Sequence, residues 1–245
     1  MISRFTLGAI VAAGLVGSGW NAAAAGPPFE LTVEKDQSFG SSKGTLVIDV
    51  QGIEFRATDK DDTRKWSYID IRQVQILTPT RIDVLTYEDQ GGLKMGADRT
   101  VQFKVVGGKV PPELIVFLHN QIRRPMMTAV MPPSASEPPL YRVPVKYERH
   151  YHGSNGMLLL HDASLAYVSQ TERDGRYWRM TDIFAVLQLD PYRLEVLAYE
   201  GGGGDLRRFT FQIKTELPDG FYQALWVRVN PPTLDLRNAA KAQVR

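Results

Sequence analysis

The sequence predicts a mainly β (α+β) protein made of two tandem units, each a bent antiparallel sheet of about seven strands capped by a C-terminal helix. Three observations carry that prediction. The chain matches itself at a shift of 112 residues. Each copy is built of short runs of alternating polarity rich in β-branched residues, and each ends in an apolar pattern of helical spacing. Self-similarity at a fixed period marks duplicated structural units, and a domain-sized period with two copies reads as a tandem pair, not a solenoid.

The repeat is densest where residues 66–88 lie over 178–200. There 11 of 23 positions are identical without a gap, among them Trp66/Trp178, Asp70/Asp182, Arg81/Arg193, Tyr87/Tyr199 and Glu88/Glu200. Gly44 also falls on Gly156. After a glycine-rich connection the match resumes four residues shorter in the second copy, with Phe103 over Phe211.

In the first copy a short strand is expected at 31–34, followed by strands at 45–50 and 53–58 joined by the tight turn Gln51-Gly52. A polar turn at 59–64 leads to a strand at 65–71, then strands at 74–78 and 81–88 flank Pro79-Thr80. A weak strand near 93–95 and a firm one at 100–106 follow. Pro111-Pro112 then opens a helix over 113–122, since proline suits a first turn and Leu114, Ile115, Phe117, Leu118 and Ile122 share helical spacing. The second copy repeats this plan, with 221–229 as helix and an extended alternative open for 225–229.

The boundaries follow. Residues 1–25 read as a secretory signal peptide: Arg4 precedes an apolar run, and Ala22 to Ala25 supply a small-residue cleavage site. The first unit is 27–123 and the second is 140–232. Residues 124–139 form a proline-rich linker whose apolar middle, Met126 to Met131, is expected to lie on a domain face and hold the units together. Residues 233–245 form a polar, alanine-rich tail. The chain is thus expected to be exported, to the periplasm or the outside of the cell, with an uncleaved N-terminal anchor as the alternative.

The segment Trp66-Ser-Tyr-Ile-Asp70-Ile71-Arg-Gln-Val74, repeated as Trp178-Arg-Met-Thr-Asp182-Ile183-Phe-Ala-Val186, resembles the place in bacterial PH-like and GRAM-like domains where the third strand turns through an Asp-Ile pair into the fourth. The resemblance covers nearly all of both units. It implies a pleckstrin-homology-like fold and no particular site. Phosphoinositide binding in such domains uses basic residues in a long loop between the first two strands. Here that connection is Val50-Gln-Gly-Ile53 and Asp162-Ala-Ser-Leu165, short and without Lys or Arg, so no phosphoinositide site is expected.

Composition excludes several function classes. Lys+Arg 29 against Asp+Glu 27 leaves a charge of +2, too small to imply nucleic acid as a main partner. The absence of cysteine removes disulfides, thiolate metal sites and thiol nucleophiles. Gly40-Ser-Ser42-Lys-Gly44 has the letters of a nucleophile elbow but precedes a strand and has no helix after the serine, so it reads as a loop. The basic residues Lys60, Arg64, Lys65, Arg173 and Arg176 read as solvated loop positions beside acidic neighbours.

Among the residues shared by both copies, Trp66 and Trp178 are expected to anchor the cores, and Asp70 and Asp182 to cap turns through their carboxylates. Arg81 and Arg193 are candidate partners of Glu88 and Glu200, or, with Tyr87 and Tyr199, members of a doubled binding site. His150 and His152 share one strand face and, with His161, are the candidate metal set. No catalytic residue and no cofactor is expected. The leading functional reading is a non-catalytic module that binds a protein or peptide at an exposed strand edge or in the groove beside a capping helix. The second is a binder of envelope lipid or glycan through Tyr147, Tyr151, Tyr177 and Tyr192. A metal-dependent enzyme centred on the histidines is the third.

Overall fold

The computed structural model describes residues 27–36, 40–89, 98–149, 153–171, 174–200 and 205–231. These residues form a mostly β protein. The first half holds β1 (Phe29–Asp36), β2 (Ser41–Asp49), β3 (Gly52–Ala57), β4 (Arg64–Ser67), β5 (Ile71–Thr78), β6 (Arg81–Asp89), β7 (Asp98–Val105) and α1 (Pro112–Gln121). A short strand, β8 (Met126–Thr128), follows. The second half holds β9 (Tyr141–Glu148), β10 (Gly153–Leu160), β11 (Ser164–Ser169), β12 (Arg176–Arg179), β13 (Ile183–Asp190), β14 (Arg193–Ala198), β15 (Arg207–Ile213) and α2 (Phe221–Val229).

The strands join in one sheet, in the order β13-β14-β15-β9-β10-β11-β12-β8-β5-β6-β7-β1-β2-β3-β4. The order on one side of β8 recurs on the other, strand for strand. Each seven-strand run curls over a core of its own. Trp66 on β4 and Phe103 on β7 stand four places apart in the order, yet their ring centroids are 6.3 Å apart. A flat sheet would separate them by roughly 19 Å. Trp178 on β12 and Phe209 on β15 repeat the contact at 5.0 Å. The first core gathers Trp66, Phe55, Phe103, Leu114 and Leu118; the second gathers Trp178, Tyr167, Phe209, Phe211 and Phe221.

The glycine shared by β2 and β10 has a packing cause. A Cβ on Gly44 would come within 2.3 Å of the Arg56 carbonyl and 2.7 Å of the Phe55 ring. On Gly156 it would come within 2.4 Å of the Val168 carbonyl and 2.5 Å of the Tyr167 ring. In both copies an aromatic ring from the next strand lies over the glycine, and no side chain fits there.

Several sequence expectations change. The short strand expected at 31–34 is an eight-residue strand paired along its length with β2 and also with β7. The first hairpin connection is therefore 37–40, and Val50 to Ile53 joins β2 to β3. In both halves the connection expected between the first two strands, Val50 to Ile53 and Asp162 to Leu165, lies instead between the second and third. The strand expected at 65–71 is broken by a turn, because Asp70 accepts hydrogen bonds from the Ser67 backbone N–H and hydroxyl at 3.1 and 2.6 Å. The extended alternative at 225–229 is not taken; α2 is a helix that buries Phe221 and Leu225. Ser41 and Ser42 lie in β2, not in a loop. Residues 1–26, the strand expected at 93–95 and the tail lie outside the described residues.

Candidate binding groove

The two ends of the sheet are β13 and β4. They differ in chemistry. The β4 end exposes Arg64 and Lys65, charges that discourage edge pairing. The β13 end exposes Phe184, Leu187 and Leu189 at 51%, 43% and 48%. Among the described residues, no strand pairs with the outer edge of β13.

The corresponding edge in the first half is filled. There β8 runs parallel to β5, with Val74, Gln75 and Ile76 opposite Met126, Met127 and Thr128. By the repeat, these three β5 positions correspond to Val186, Leu187 and Gln188. β8 also meets the second half, since Thr128 pairs with Tyr177 of β12. The apolar middle of the linker is thus a strand inserted between the two runs.

Alongside the open edge lies α2. The Tyr222 hydroxyl donates to the Val186 carbonyl at 3.3 Å, so the helix sits against this strand. Where the start of α2 meets the end of β13, an open cleft of about 380 Å³ is lined by residues that include Gln188, Pro191, Leu217, Asp219, Tyr222 and Gln223. The cleft is a groove between the end of β13 and the start of α2, while Leu187 lies on the opposite face of β13 from Val186, which packs in the core with α2. The strand edge beside it offers backbone donors and acceptors to an extended chain, with pockets for alternate side chains.

Two of the candidate binding residues contact β13 itself. The Tyr199 ring meets Phe184 at 5.8 Å between centroids. Arg193 sits at the β13–β14 turn, where its Nε donates to Asp190 at 2.6 Å. Their counterparts are not gathered with them. Arg81 donates to Asp83 at 2.8 Å, and Tyr87, which lies under the guanidinium of Arg124, stands about 20 Å along β6 from Arg81. Neither arginine pairs with the shared glutamates. Glu88 accepts from the indole N–H of Trp66 at 2.9 Å, and Glu200 from that of Trp178 at 2.8 Å. Arg176, expected in a solvated loop, is a buried strand residue whose Nε donates to Glu200 at 3.0 Å.

Of the candidate metal set, only His161 is among the described residues. His150 and His152 lie outside the described residues, just before β10, whereas His161 follows the far end of that strand. Eight extended residues separate Gly153 from His161 by roughly 25 Å. Burial lowers the His161 pKa, and its Nε2 has no hydrogen-bond partner in this structure. Among the described residues no group of three His, Cys, Asp or Glu is placed to hold a metal ion. Of the aromatic platform, three residues are described. Tyr147 and Tyr177 are buried, Tyr151 lies outside the described residues, and Tyr192 alone of the four is shown exposed.

The junction between the halves holds residues that the repeat hid. Arg179 donates to the carbonyls of His119, Ile122 and Arg124 at 2.9, 2.6 and 2.8 Å. It thereby caps the C-terminal end of α1, where carbonyls lack helical partners and a cation is favoured. The same guanidinium forks onto both oxygens of Asp182 at 2.8 Å. The Asp182 carboxylate also accepts the backbone N–H of Met126, the first residue of β8. Burial raises the Asp182 pKa, against the pull of Arg179. His119 stacks on Tyr177 at 5.5 Å, and burial, aided by Arg179, lowers its pKa to about 3. The Gln73 amide donates to the Tyr199 carbonyl at 2.7 Å across the same junction.

No family model and no curated protein matches the chain. Among solved structures, one titled "Structure of the Spt16D Pob3N heterodimer" matches over 75% of this chain and 94% of that one, at 10% identity and a TM-score of 0.26. At that score the likeness is a loose one of fold and bears on nothing further.

Proposed function

We propose that the protein is an exported, non-catalytic binding module of two PH-like units, 27–123 and 140–232, that holds an extended segment of a protein or peptide along the outer edge of β13. One observation supports this reading above the others. The same edge in the first half already carries an added strand, β8, on β5, while in the second half no strand pairs with the edge among the described residues, and apolar side chains are exposed along the strand. The molecule itself contains an example of the interaction proposed. Two separate cores around Trp66 and Trp178 support the division into units, and the alanine-rich end of the apolar N-terminal segment supports export.

The test is selection of peptides from a random display library on the purified chain, followed by binding to Leu187→Asp. Leu187 is half-exposed, so the substitution leaves the core alone. Enriched peptides that bind the wild type and lose at least tenfold in affinity for Leu187→Asp are expected. Enrichment of nothing, or of peptides indifferent to that substitution, would defeat the reading. Binding to vesicles or polysaccharide in place of peptides would favour the lipid or glycan alternative.

A further inference from the structure

The edge of β13 ends at a cleft whose chemistry differs from that of the matching place in the first half. We infer that the partner's segment runs parallel to β13 and sets a lysine or arginine side chain in this cleft, two residues beyond the one that faces Gln188. This rests on the reading of β13 as a binding edge and adds the direction and the chemistry of the segment it takes.

The course of such a segment is visible in β8. It runs parallel to β5, with Met126, Met127 and Thr128 opposite Val74, Gln75 and Ile76. The contact continues one residue further, where the Ala129 N–H donates to the Ile76 carbonyl at 2.9 Å. Val130 comes next and is buried in the first core, as is Met126 at the start of β8. A segment that takes this course on β13 has its third residue opposite Gln188, the counterpart of Ile76. Its fifth residue, the counterpart of Val130, lies roughly 7 Å further along, toward Pro191. Gln188 and Pro191 both line the cleft.

The lining sets the charge of that fifth residue. The shift of 107 residues that places Leu114 and Leu118 of α1 over Phe221 and Leu225 of α2 also places Lys109 over Glu216 and Pro112 over Asp219. A cation and a proline are thus exchanged for two carboxylates, and both line the cleft. Both residues are exposed, and among the described residues neither forms an ion pair. No Lys or Arg is among the lining residues. Leu217 and Tyr222 supply apolar surface on which the methylenes of a long cationic side chain can lie while its charge meets Glu216 and Asp219. Exposed charges of this kind add modest affinity and mainly select the partner, because an acidic side chain at the same place is repelled.

The test uses peptides selected from a random display library on the full wild-type chain and kept where Leu187→Asp weakens them. The kept peptides are expected to share a Lys or Arg on the C-terminal side of their apolar residues. Exchanging that cation for Met in the peptide, or Glu216→Gln with Asp219→Asn in the chain, is expected to weaken binding by about fivefold or more. The two changes together are expected to weaken it no further than either alone. Glu216→Lys with Asp219→Lys is expected to turn the selection toward acidic residues at the same position. The substituted residues are exposed, so the core is left intact. Leu187-dependent peptides that share no cation, carry it on the N-terminal side, or bind the neutral double variant as tightly as the wild type would overturn the inference and leave the edge reading standing. Selection of no Leu187-dependent peptide defeats both.

Discussion

The two halves share a strand order and a core plan, and they part at the turn after the shared tryptophan. In the first half, Ser67 and Asp70 close a small exposed turn by themselves. In the second, the corresponding residues are Arg179 and Asp182, and the turn reaches out to the neighbouring half. That exchange of serine for arginine is what lets the second half grip α1 and the start of β8. The consequence appears at the paired edges: among the described residues β5 is covered and β13 is open. Duplication supplied two equal edges, and the junction consumed one of them.

The largest effect expected from breaking this comparison lies in what the halves share. Trp66→Ala and Trp178→Ala remove fully buried indoles together with the hydrogen bonds to Glu88 and Glu200. Each is expected to lower stability by about 3–5 kcal/mol in denaturant unfolding. A loss below about 1 kcal/mol would refute the core role of these residues.

Next comes the position where the halves differ. Arg179→Ala leaves Asp182 buried without its cation and the end of α1 uncapped, at a cost of about 3–5 kcal/mol. Ser67→Ala, at the same place in the repeat, is expected to cost under about 1 kcal/mol because its turn is exposed. Equal losses would show that Arg179 does no more than its counterpart.

A smaller effect follows from pH. His119 is neutral in the folded state down to about 3, while the unfolded side chain takes up its proton near its ordinary value of 6.5. The unfolded state thus binds more protons between those values, so this group's contribution is complete above about pH 6.5 and falls away below it. The slope approaches about 1.4 kcal/mol per pH unit at most. Asp182, with a raised pKa, works in the opposite direction in acid, when the folded state takes up its proton first. Unfolding of wild type and His119→Gln between pH 7 and 5 isolates the histidine, and the substituted chain is expected to show the flatter profile.

The smallest effect on stability belongs to the open edge. Leu187→Asp is expected to move the unfolding midpoint by less than about 0.5 kcal/mol, as exposed positions do, while abolishing peptide binding.

Much of the fold was legible in the sequence because identity between the copies marks what both cores need. Trp66, Trp178, Gly44 and Gly156 are of this kind. The partner of the shared glutamate was misread. Arg81 and Glu88 are seven residues apart on one strand, roughly 23 Å, too far to pair. The junction was hidden for the converse reason: Arg179 matters because its counterpart is serine, and a search for matches passes over differences. Strand edges and the helix groove were legible as the kind of site to expect. Which edge is free depends on where three linker residues pair, and their pattern of Met-Met-Thr does not declare a partner strand.

The most direct test of the account is amide hydrogen exchange at 186–188 and at 74–76 in the full chain, with and without a saturating selected peptide. The account predicts slow exchange at 74–76 throughout, under β8, and exchange at 186–188 that is slowed at least tenfold only when the peptide is present. Protection by the peptide elsewhere, with 186–188 unchanged, would contradict it.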